Sequence, residues 1–214
     1  TGAIPTARAD SIVEAYVGEV AETSRATNGS IDVRNTSGGR GTIDMDARSR
    51  TLANAEAFGG SFAIAATVNA VIPKAELAGA TRAYVGPRVN LYAGNITADA
   101  TEITAQALAN AVGVSGSIGV TVGVLTALAT AGRETEAFIG HHSVLDLGTS
   151  AAVFNAITDL AAPMAKATAV GGSASMIGLS AYSVTARVGQ LDGGGQVSAT
   201  RAYVQNDASI TAGS

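Results

Sequence analysis

Cysteine and tryptophan are both absent from the 214 residues. The first absence excludes disulfides, thiolate metal sites and cysteine nucleophiles. Aromatic residues make up only 4%, so a core has to be built from Ala, Val, Ile and Leu. Charge is scarce as well: 14% of residues carry it, against roughly 25% in a typical globular domain. The net charge is −4 and no basic stripe exists, so nucleic acid is not an expected partner. Histidine occurs only at His141 and His142. Neighbours on a strand point to opposite faces, so this pair is not expected to chelate one metal, and it reads as a solvated turn after Gly140. No positively charged segment leads into an apolar run at the start, so no signal peptide is visible. The chain opens at Thr1 inside repeat-like sequence and reads as a piece of a longer protein.

Hydrophobic residues reach 47%, enough to bury a sizeable core, and glycine is abundant at 26 residues. The apolar content is too rich in β-branched residues for a disordered linker. One motif recurs four times: a charge, Ala, an aromatic, a β-branched residue and usually Gly. It occurs at Glu14-Ala15-Tyr16-Val17-Gly18, Arg82-Ala83-Tyr84-Val85-Gly86, Glu136-Ala137-Phe138-Ile139-Gly140 and Arg201-Ala202-Tyr203-Val204. The units therefore begin near 14, 82, 136 and 201, and Tyr16, Tyr84, Phe138 and Tyr203 are the structural repeat positions. A second motif lies between them, at Ala57–Ser61, Ala111–Ser115 and Ala169–Ser173. Fixed internal repeats are the signature of a stacked architecture. The third interval carries an extra loop-like stretch, residues 190–196, and insertions of that kind belong on surfaces.

The apolar half of each unit alternates with period two, which argues strand. Val112, Val114, Gly116, Ile118, Val120, Val122 and Val124 share one face. Gly113, Ser115, Ser117, Gly119, Thr121 and Gly123 share the other. The first unit repeats this with Phe58, Phe62, Ile64, Val68 and Ile72 against Gly59, Ser61, Ala63, Ala65 and Thr67. The bulky face is expected inside, and the bare one outside, against another sheet or another copy of the protein. Short strands are expected at 31–34, 42–46, 89–92, 95–97 and 208–211, between Gly and Asn turns. One helix competes over 150–162: Ser150 caps it, Val153, Phe154, Ile157 and Leu160 share a face, and Pro163 ends it. Residues 103–110 are ambiguous between helix and strand.

The order of apolar strand, Thr-x-Ala-aromatic-aliphatic-Gly and polar strand resembles the repeats of leukotoxin-type filamentous adhesins, relatives of the haemagglutinin-like β-helices. Ile118–Val122 running into Thr135–Gly140, and Gly79–Gly86, carry the resemblance. It implies a β-helix, an extracellular or bacterial cell-surface location, and adhesion or fibre formation. It supplies no catalytic residues. The unit length is irregular compared with that family.

The expected fold is thus all-β: one β-solenoid, a parallel β-helix built from irregular repeats over residues 1–214, with one short helix near 150–162. At about 20–25 residues per coil, it would form roughly nine coils and a rod of about 45 Å. Neither end carries a polar cap, which predicts self-association end to end or laterally, or coverage by more of a longer chain. Host or cell-surface glycans are the other expected partners. No cofactor and no enzymatic activity are expected. Asp44 and Asp46 share a strand face and are the weak calcium candidates, through oxygen ligands. Carboxylates grouped in this way, with Asp32 nearby, also raise a rival reading, a β-helix enzyme that cleaves polysaccharides. Gly38–Asp44 has the outline of a calcium-binding nonapeptide but holds Ile43 where Asp is needed. Residues 103–132 lack charge and are long enough to span a bilayer. They raise a third reading, a membrane-embedded assembly, although period two and dense Gly, Ser and Thr oppose a membrane helix.

Overall fold

The computed structural model describes residues 2–19, 29–160, 162, 164–189 and 198–212. These form sixteen strands and no helix among the described residues. The strands fall into four successive layers. The first holds β1 (Gly2–Ala3), β2 (Thr6–Val17), β3 (Gly29–Asp32) and β4 (Ile43–Ala63). The second holds β5 (Ala66–Val71), β6 (Lys74–Val85), β7 (Val89–Tyr92) and β8 (Ile96–Ser117). The third holds β9 (Val120–Ala131), β10 (Glu134–Ile139), β11 (Val144–Gly148), β12 (Ala152–Thr158) and β13 (Ala165–Ala174). The fourth holds β14 (Ile177–Val188), β15 (Ala199–Val204) and β16 (Ser209–Ala212).

All pairings between these strands are parallel, and each joins one layer to the next. Three sheets result, with β5, β6, β9 and β10 in the first, β7 and β11 in the second, and β8 flanked by β4 and by β12 with β13 in the third. The repeats seen in sequence are the pairing register. Tyr16 lies beside Tyr84, Tyr84 beside Phe138 and Phe138 beside Tyr203. Ala57, Ala111 and Ala169 likewise form one column.

Three expectations are overturned. Layers are not 20–25 residues long: Tyr16 pairs 68 positions on with Tyr84, and Tyr84 pairs 54 positions on with Phe138. The chain therefore makes about four layers and not nine. The helix over 150–162 is strand β12, because Ala152–Thr158 complete the ladder beside Ile96–Glu102 of β8; Pro163 lies outside the described residues. The ambiguous 103–110 belong to β8.

The third correction concerns the faces. The bulky face points outward and the bare face inward: Gly113, Ser115 and Thr121 are buried, while Val114 and Ile118 are exposed. The interior tapers, which explains the inversion. Where three sheets meet, the core is Ile43, Met45, Ile96, Ile139, Leu145 and Leu147. Further along only two sheets face each other, and alanines fill the gap, among them Ala55, Ala107, Ala109 and Ala129. At the far edge even a methyl group is too large. A Cβ on Gly113 would lie 2.6 Å from Leu125 Cδ2, and one on Gly59 would lie 2.7 Å from Asn69 Oδ1. Gly59, Gly113 and Gly171 stack in one column there. Dense packing of the interior dictates this gradient of side-chain size.

Candidate interaction surfaces

Inward glycine and serine force the alternate, bulky residues of the same strands into solvent. At the edge where β4 turns into β5, β8 into β9 and β13 into β14, this leaves an apolar strip. Phe62 is 80% exposed, Ile64 81%, Ile118 67% and Met176 83%. Phe58, Val112 and Val170 form one outward column of the strip, and Val68, Val122 and Leu179 another. A contiguous apolar strip of this kind is unusual on the surface of a soluble monomer.

On the first sheet, the repeat motif builds an aromatic column whose middle rings are buried. The rings of Tyr16, Tyr84, Phe138 and Tyr203 stack with centroids 5.3, 4.7 and 5.2 Å apart. Two positions before each ring the charge alternates, Glu14, Arg82, Glu136, Arg201, and these residues also lie in register. Arg82 Nε donates to Glu136 Oε2 at 3.0 Å and its Nη1 to Glu14 Oε1 at 3.4 Å. Arg201 Nη2 donates to Glu136 Oε1 at 2.6 Å. Burial pulls the Arg82 guanidinium down, but the carboxylates of Glu136, Glu14 and Glu134 together more than offset this, so its pKa is raised. The glycine that closes the motif sits at a tight corner, where a Cβ on Gly140 would lie 2.5 Å from Pro87 N.

Burial, and then the negative charge of Glu136, hold the Tyr203 phenol above its ordinary value near 10. A raised pKa means that the neutral phenol is favoured by folding. This contribution is present below pH 10 and is lost as the pH rises through the folded value. Ultraviolet titration of Tyr203 should give a midpoint above that of free tyrosine, and Tyr203→Phe should remove the late-titrating step.

Between the two apolar clusters lies a polar partition that the sequence reading missed. Arg133 and Glu102 are each only 1% exposed and pair at 2.8 Å. Arg133 Nη1 donates to the Ala78 carbonyl at 2.8 Å and to Ser11 Oγ at 3.1 Å, and Nη2 to Ser49 Oγ at 3.1 Å. Thr81 Oγ1 donates to Glu102 Oε2 at 3.0 Å. The Arg133 amide donates to Ser198 Oγ at 3.2 Å. One arginine thus joins segments from all four layers. The signal was in the sequence: Glu102 and Arg133 are the two charges that bracket the uncharged stretch 103–132.

Asp44 and Asp46 project from the exposed face of β4, and Asp46 accepts from Arg48 Nε at 2.9 Å. Asp32 pairs with Arg34 at 2.8 Å. Among the described residues no group of three His, Cys, Asp or Glu side chains could hold a metal ion. His141 and His142 occupy a turn with ring centroids 5.3 Å apart, and His142 Nδ1 lies 3.6 Å from Asp207. Residues 190–196 lie outside the described residues. No helix among the described residues is long and apolar enough to cross a membrane. No family model, curated protein or solved structure matches the chain.

Proposed function

We propose that the chain is a parallel β-solenoid segment with a structural or adhesive role in a large bacterial surface or secreted protein of the leukotoxin-type adhesin kind. The carrying observation is the register of the repeats. Residues 53 to 68 positions apart in sequence are paired neighbours, motif on motif, across the described strands. Such a ladder spends sequence on a continuous lateral surface. The same repetition lays the apolar strip along one edge, where it serves adhesion to an apolar surface or lateral packing. With this reading goes an extracellular or bacterial cell-surface location, with glycans as further candidate partners.

Retention on a hydrophobic matrix tests the adhesive part. The folded chain should bind phenyl-agarose strongly. The double variant Phe62→Ser/Ile118→Ser should elute much earlier with an unchanged circular dichroism spectrum, because both side chains are already mostly in solvent. Equal retention of the two proteins would remove the strip from the proposal.

A further inference from the structure

The turn between β3 and β4 holds a side chain whose chemistry the fold leaves unused. Residues 34–40 are exposed, and the chain reverses there through a bridge between Arg34 and Arg40. Asn35 closes the reversal. Its backbone N–H donates to the Gly39 carbonyl at 2.8 Å, and its carbonyl accepts from the Gly38 amide at 3.0 Å. Its side-chain Oδ1 accepts three more bonds: from the Ser37 amide at 3.1 Å, from Ser37 Oγ at 2.8 Å and from the Gly39 amide at 2.9 Å. Every bond of the carboxamide among the described residues thus falls on its oxygen, and Nδ2 is left free to react. Two glycines allow this. Gly38 adopts a φ of +82°, and a Cβ on Gly39 would lie 3.0 Å from Asn35 Nδ2.

Asn35-Thr36-Ser37 is an Asn with a hydroxyl residue two positions on, the acceptor pattern for N-linked sugar. The same pattern occurs at Asn28-Gly29-Ser30, where Asn28 lies outside the described residues, and at Asn95-Ile96-Thr97. Asn95 is committed to the ladder. Its Oδ1 accepts from the Ala151 amide at 3.2 Å and its carbonyl from the Ile43 amide at 2.9 Å. Thr97 is held in β8 between Asp44 and Val153. Extended backbone sets residues two apart at about 6.6 Å, too far for the Thr97 hydroxyl to bond the Asn95 carboxamide as Ser37 bonds Asn35. A resting carboxamide nitrogen is a poor nucleophile, because its lone pair is delocalised onto the oxygen. It becomes a better one as its proton leaves, and negative charge then builds on the oxygen. Three donors already aimed at Asn35 Oδ1 stabilise that charge.

We propose that Asn35 is the acceptor for an N-linked sugar supplied by a pyrophosphate-activated donor. Nδ2 bonds to the anomeric carbon of the sugar. The bond from that carbon to the diphosphate breaks, its electron pair stays on the leaving oxygen, and one amide proton passes to a base on the transferase. Nucleoside and lipid diphosphates offer the same leaving group. β4 spans 21 residues, about 70 Å of strand, between this turn and Ile64. A sugar on Asn35 therefore leaves the apolar strip open.

The folded chain tests this in two arms, one with a nucleotide hexose and a soluble N-glycosyltransferase, the other with membranes that carry an oligosaccharyltransferase and its lipid-linked oligosaccharide. Intact-mass measurement and peptide fragmentation locate the adduct. The expected result is a sugar on Asn35 from at least one donor, which identifies the source, and none on Asn95. Asn35→Gln and Ser37→Ala should each abolish the adduct with an unchanged circular dichroism spectrum. Where Asn35→Gln disturbs the turn, Ser37→Ala and the fragmentation data still decide. An unmodified Asn35 in both arms, or a folded Asn95 that accepts sugar as readily as Asn35, would overturn the assignment. Either result leaves the scaffold reading intact.

Discussion

Arg133→Met is expected to lower the free energy of unfolding by about 3–5 kcal/mol, a large share of a single domain's stability. Methionine approximates the volume of the arginine stem, so little of the loss is cavity. What remains is the Glu102 carboxylate, 1% exposed, with its charge partner gone. Its Oε1 already accepts no hydrogen bond among the described residues, so the carboxylate has little left to lean on. Ser11, Ser49 and the Ala78 carbonyl each lose a donor as well. Urea denaturation followed by circular dichroism measures the loss. The double variant Arg133→Met/Glu102→Gln should recover much of it, because removing both charges also removes the uncompensated one. A single-variant loss under about 1 kcal/mol would mean that water reaches the partition.

Phe138→Ala is expected to cost about 3–5 kcal/mol, in the range for deleting a fully buried ring. Phe138 is 2% exposed and stacks on Tyr84 at 4.7 Å and on Tyr203 at 5.2 Å. Its removal interrupts the aromatic column at the third layer and leaves a void that alanine cannot fill. Phe138→Tyr provides the contrast. The equivalent positions in the other three units are tyrosine, so the column accommodates that ring, and the cost should be well under that of alanine. Thermal unfolding, read with near-ultraviolet circular dichroism of the ring stack, separates the two outcomes. An alanine variant as stable as the tyrosine one would show that the stack accompanies the pairing without stabilising it.

Register was the part of this fold most legible in the sequence, because the repeat motif names its own partners. Tyr16, Tyr84, Phe138 and Tyr203 look alike for the reason that they touch. Layer length was not legible. Turn signals break the polar halves into short strands, which suggests short coils, yet β4 and β8 run 21 and 22 residues, with one register shift between them at Ser49/Arg50. One such strand consumes what had been assigned to a whole coil. The inside of the sheet was also misread. Alternation shows that two faces differ, but not which one is buried; bulk normally decides, and here the gap beside Leu125 leaves no room for a side chain at Gly113 and Gly171. At 152–158 the apolar spacing suits a helix when read alone, and the waiting edge of β8 overrode it, with Asn155 Nδ2 donating to Asp99 Oδ1 at 2.7 Å across that edge. The interaction surfaces follow the same pattern. The charge column could be read from the motif, whereas the apolar strip could be found only after the inside of the sheet was known.

The alternating charges bear on how such a chain can change length. Excision of the second unit alone by unequal recombination would set Glu14 against Glu136, and duplication of one unit would set two bases or two acids face to face. Gain or loss of units in pairs restores the sequence of signs. Descent by duplication is therefore expected to leave copy numbers that differ by two, with single-unit differences accompanied by a reversal of charge at the junction.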